Sequence, residues 1–132
     1  MPDPNPVPDE SPSRNTVAEL ENDAMSFVLE LARALHEFGT PAHQLEVALE
    51  TVAGSLGLTA EFFSSPTSIM VGFGYRIEQR VHLLRVEPAE PNLGKLAQLD
   101  GVVRDVVDGR IGAVEGLLRV HAVKSEAPLW PT

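Results

Sequence analysis

Hydrophobic periodicity changes twice along this chain, and the double change narrows the folds open to it. Val28, Leu31, Leu35 and Phe38 mark one helical stripe, and Leu45, Ala48, Leu49, Val52 and Leu56 mark a second. The middle then breaks into three short runs, Leu58 to Phe63, Ser68 to Phe73 and Val81 to Val86. These are rich in β-branched and aromatic residues and predict strands. Helical spacing returns after Pro88 and Pro91. Leu93, Leu96, Val103 and Val107 form one predicted inner face, and Val114, Leu117, Leu118 and His121 another. The predicted order is ααβββαα: two N-terminal helices, a three-stranded antiparallel sheet and two C-terminal helices. That is an α+β fold with the helices packed on one face of the sheet.

Local punctuation supports these boundaries. Thr16-Val17-Ala18-Glu19 fits a capping box, so the first helix is predicted to begin between Thr16 and Asp23. Gly39 suits a left-handed helix end, Thr40 can cap the next helix, and Pro41 suits its first turn. Gly57 and Gly109 read as further helix ends, and Asn92 as the cap of the third helix. Pro66 breaks the first strand connection, and Gly74 to Gln79 forms a hairpin loop.

The ends differ from the middle. Residues 1–15 hold five of the eleven prolines, and residues 1–24 carry −5 of the net charge of −9. Residues 1–22 are therefore expected to be a disordered acidic tail, because they bury too little to offset ordering entropy. Residues 23–124 form the expected domain, followed by a linker over 125–132 that contains Trp130, a residue type favoured at membrane interfaces. The acidic balance and scattered basic residues argue against a nucleic-acid partner. Zero cysteines rule out disulfides and thiol chemistry. No apolar run reaches the roughly 18 residues of a spanning helix, and the proline-rich acidic start is unlike a signal peptide. The chain as given is expected to be soluble.

Chemistry is sparse. His43 and Glu46 lie three apart at the start of the second helix, with Glu50 a turn further on. They could act as acid and base or hold a divalent ion, although three ligands on one helix make a weak set. His36, His82 and His121 form no ligand pattern; His121 falls on an apolar stripe and reads as a core or edge histidine. Ser64-Ser65-Pro66-Thr67-Ser68 gathers four hydroxyls around a proline, which suits a turn. Hydroxyls at strand ends facing a guanidinium can also receive an amino acid, with Arg85 as the carboxylate partner. Asn92 could join them. No nucleotide loop, nucleophile elbow or cofactor motif is present, so no cofactor is expected.

In order, Gly39, His43 with Glu46, Gly57-Leu58, Pro66-Thr67, Arg85-Val86, Asn92-Leu93 and Asp108-Gly109 form a pattern over more than a hundred residues. In this pattern the chain, from about Met25 onward, resembles the N-terminal domain of the threonine/serine exporter family. The resemblance implies a cytosolic domain that precedes a membrane domain of several spanning helices, absent here. It implies that membrane domain as partner, L-threonine or L-serine as possible ligands, and a possible homo-oligomer. Thr67, Arg85, Asn92, His43 and Glu46 are the favoured ligand-binding residues, with no catalytic set or metal site to carry over. The alternative is a hydrolase-like or metal-dependent enzyme domain using His43 and Glu46.

Overall fold

The computed structural model describes residues 14–87 and 90–125. The elements are α1 (Arg14–Glu37), α2 (Ala42–Ser55), β1 (Ala60–Ser65), β2 (Ser68–Phe73), a 3-10 turn (Arg76–Glu78), β3 (Arg80–Arg85), α3 (Leu93–Val107) and α4 (Ala113–Ser125). The order is ααβββαα, a mixed α+β fold, as the periodicity predicts. Both strand pairs are antiparallel, in the order β1-β2-β3. Of the expected tail over residues 1–22, residues 14–22 instead form the start of α1, where the helix runs on from the core-facing stretch; residues 1–13, and residues 126–132 of the expected linker over 125–132, Trp130 included, lie outside the described residues.

Helix α1 is the axis of the molecule and packs against α2, α3, α4 and β2. Phe27, Val28, Leu31, Ala32 and Ala34 have no exposed surface, so α1 is apolar on more than one side along this stretch. The sheet adds Phe62, Ile69, Val71, Phe73 and Leu84 from its inner face. Burying a side chain of this size contributes about 1.5–3 kcal/mol, so this one layer of contacts dominates stability.

Several boundaries differ from expectation. Helix α1 starts at Arg14, so Thr16 lies inside it and does not cap it. Strand β1 starts two residues later than predicted because the Leu58 amide donates to Ala53 O at 2.9 Å and belongs to the end of α2. Strand β3 begins at Arg80, one residue early.

The inner faces of the last two helices differ more. Helix α3 buries Leu99, Val102 and Val106, while Leu93 is exposed and Val103 and Val107 are only partly covered. Helix α4 buries Gly116, Val120 and Val123; Val114, Leu118 and His121 face outward. The reason is steric. A Cβ on Gly116 would meet Phe27 Cε1 at 2.8 Å, so the smallest residue of α4 sits where the two helices approach most closely. That contact turns the neighbouring Leu118 away from α1.

A candidate ligand site at the α1–α2 corner

Helix α1 ends in a glycine-capped turn. The Gly39 amide donates to His36 O at 3.1 Å and the Thr40 amide to Leu35 O at 2.9 Å, with Gly39 at φ 95°. These two bonds satisfy carbonyls that the helix end would otherwise leave bare. Gly39 is required twice over, since a Cβ there would also lie 2.9 Å from Pro91 Cα. Pro41, not Thr40, is the N-cap of α2, and it makes no side-chain cap bond. The Thr40 hydroxyl is thereby left without the capping role expected of it.

The corner faces the end of β1. His36 is buried, and its Nε2 lies 3.0 Å from Ser65 O. A carbonyl oxygen only accepts, so Nε2 carries a proton. In the neutral ring Nδ1 is then an acceptor, and it is buried with no partner. Thr40 Oγ1 is buried and unpartnered as well. Both residues line one cavity of about 270 Å³, together with Gly39, Ala42, Ser64, Ser65 and Pro66. Buried polar groups are nearly always paired, and each exception calls for an explanation. Two exceptions on residues that line one cavity mark it as the candidate site.

The turn opposite is closed by side-chain hydrogen bonds. Ser65 Oγ lies 2.8 Å from Ser68 Oγ and accepts from the Ser68 amide at 3.1 Å, which closes the two-residue turn through Pro66 and Thr67. Glu46 Oε2 accepts from the Ser64 amide at 2.9 Å. This bond fixes α2 to the outer edge of β1 and covers a donor that an edge strand would leave open.

The other predicted residues gather at the same end of the molecule without forming one cluster. Thr67 is exposed in the turn, and its carbonyl accepts from the Val86 amide at 3.1 Å. Arg85 pairs in register with Ser68, so it stands beside that turn, exposed. Asn92 caps α3 through a bond from the Lys95 amide to Oδ1 at 3.1 Å, and its own amide donates to Phe38 O at 3.0 Å. His43 is exposed on the first turn of α2. No group of three or more His, Asp or Glu among the described residues is placed to hold a metal ion.

Sequence comparison adds the decisive observation. Residues 26–132 match the family described as "Putative threonine/serine exporter". The chain belongs to the threonine/serine exporter family. Among curated relatives, it is 30% identical over 107 residues to Pheromone-regulated membrane protein 10 of Candida glabrata, covering 80% of this chain and 14% of the relative. It is 31% identical over 107 residues to the protein of that name in Saccharomyces cerevisiae, strain YJM789, with the same coverage of 80% and 14%. The Candida albicans SC5314 protein is 29% identical over 109 residues, which are 79% of this chain and 10% of the relative. The chain thus spans about one-seventh or less of the length of these relatives. No solved structure matches.

In this member of the exporter family, no helix among the described residues is long and apolar enough to cross a membrane. Sequence reasoning missed two residues of the candidate site, His36 and Thr40. His36 is set aside because the histidines form no ligand pattern, and Thr40 reads as a cap because Pro41 follows. The available signal was position: both flank Gly39, and a turn that tight brings neighbouring side chains against whatever packs on it.

Proposed function

We propose that this chain is the cytosol-facing domain of an amino-acid exporter, and that its corner cavity binds a small hydroxyl amino acid, L-threonine or L-serine. The observation that carries the reading is the pair of unpartnered buried groups, His36 Nδ1 and Thr40 Oγ1, on two residues that line the cavity. A bare imidazole nitrogen accepts from a hydroxyl or an ammonium group, and a threonine hydroxyl both donates and accepts. A cavity of about 270 Å³ falls below the common range for drug-sized ligands, which suits a small metabolite. Thr67 and Arg85, at the same end of the sheet, are the favoured contacts for the ligand carboxylate, and His43, Glu46 and Asn92 are secondary candidates. Binding there regulates or feeds the membrane domain of the full-length protein.

Titration with L-threonine, L-serine and L-alanine, followed by amide chemical shifts, tests the reading. Shifts centred on residues 36–42 and 64–67 are expected for the two hydroxyl amino acids and weaker ones for alanine. An unperturbed spectrum at millimolar ligand would remove it. The hydrolase reading has no observation of its own to favour it, because the Glu46 carboxylate is already engaged by the Ser64 amide and His43 is exposed.

A further inference from the structure

An antiparallel sheet with one covered face ordinarily shows polar side chains on the other. This sheet does not. On the face away from the helices, Phe63, Met70 and Leu83 form a continuous cross-strand row, 65%, 46% and 61% exposed, with Val81 beside it at 58%. Isolated apolar residues on a surface are normal, whereas a contiguous group of them marks a contact site.

We infer that this outer face is an interface between two copies of this chain. The charges on it select that occupant. Alternation along the strands puts Glu61, Phe63 and Ser65 of β1, Ser68, Met70 and Gly72 of β2, and Val81, Leu83 and Arg85 of β3 on this side. Glu61 and Arg85 occupy diagonally opposite corners. A two-fold axis through Met70, running along the other diagonal, brings Glu61 of each copy onto Arg85 of the other. The strands of the two sheets then cross at a steep angle, one of the two ways in which sheets pack face to face. The apolar row lies at the centre and the two charge pairs at the rim, as in other specific interfaces.

The patch itself is neutral, although the chain carries −9. Two acidic copies therefore meet across a face that carries no net charge of its own. An anionic lipid surface would be repelled by the same net charge and would find only Arg85 on this face. Three strands make a small contact, so the dimer is weak and concentration-dependent. This inference is independent of ligand binding at the corner cavity, and its test reads assembly, not binding.

Sedimentation equilibrium of the 132-residue chain gives the test. A reversible monomer–dimer equilibrium is expected, and Met70→Glu, which places two carboxylates on the axis, should abolish it. Glu61→Arg alone and Arg85→Glu alone should each weaken the dimer by about tenfold through like-charge contacts. Combining the two reversals should restore it. All three positions are exposed, and circular dichroism confirms that the variants are folded. A monomer at every concentration up to about 1 mM, or a double reversal no better than the singles, overturns the inference. So does a monomer that floats with phosphatidylserine vesicles and loses that property in Met70→Glu, an outcome that gives the face to lipid.

Discussion

The α1–α2 and α3–α4 corners turn on the same backbone device and differ in what their side chains do next. At the first, Gly39 and Thr40 return their amides to His36 O and Leu35 O; at the second, Gly109 and Arg110 return theirs to Val106 O and Asp105 O, at 3.1 and 2.8 Å. The α3–α4 corner then satisfies its charges internally. Asp105 accepts from Arg119 at 2.6 Å and from Arg110 at 3.0 Å, and Asp108 lies 3.5 Å from Arg110. The α1–α2 corner leaves His36 Nδ1 and Thr40 Oγ1 without partners over a cavity. One fold thus offers an internal control: a turn with its polar groups paired serves structure, and the same turn with orphaned groups has capacity left for a ligand.

The largest test of this contrast is steric. Gly39→Ala meets both a positive φ and Pro91, whereas a Cβ at Gly109, at φ 76°, meets nothing within 4 Å. Urea unfolding should show a loss of roughly 3 kcal/mol for Gly39→Ala against roughly 1 kcal/mol for Gly109→Ala. Equal losses would mean that the chain around Pro91 yields freely and the first corner is no more constrained than the second.

Thr40→Val is a smaller and more pointed change. It keeps the branched shape and removes a buried hydroxyl that has no partner. Stability should rise by about 1 kcal/mol while the response to L-threonine disappears. A destabilised variant would show that the hydroxyl already has a partner in solution, such as an ordered water, and would weaken the contrast between the corners.

The smallest effect concerns the paired corner and is confined to acid. The hydrogen bond from Arg119, then that from Arg110, holds the Asp105 carboxyl below its ordinary value of 3.8. With the folded value depressed, the unfolded chain takes up the proton first. The stabilisation is complete above the ordinary value and is lost as pH falls through the folded one. Asp105→Asn should therefore flatten the acid limb of melting temperature against pH below about pH 4. An unchanged limb would place the acid sensitivity in other carboxylates.

Much of the fold was legible because its boundaries depend on local chemistry. Gly39, Gly57 and Gly109 all have positive φ at helix ends, and Asn92 caps α3 as its residue type suggests. The helix faces were less legible. Val102-Val103 and Val106-Val107 each offer two adjacent apolar residues, and only tertiary packing, against α1, α2 and α4, selects the first of each pair. In α4 the contact point is Gly116, which no hydrophobic pattern can reveal, since what matters there is the room it leaves for Phe27. None of the residues nominated from the sequence, Thr67, Arg85, Asn92, His43 and Glu46, lines the cavity, although Thr67 follows its Pro66 in the turn and the Glu46 carboxylate accepts from the amide of its Ser64. The groups that mark the cavity, His36 and Thr40, were hidden because an unpaired buried atom is a property of three-dimensional neighbours and leaves no trace in spacing.

Pro91 rests on Gly39 and the Asn92 amide hangs from Phe38 O, so the lip of the cavity is latched to the beginning of α3. Any guest that wedges the corner apart must strain that latch, and α3 would swing with α4 behind it. Linkage runs both ways: a displacement of α4 would in turn loosen the corner's grip on any such guest.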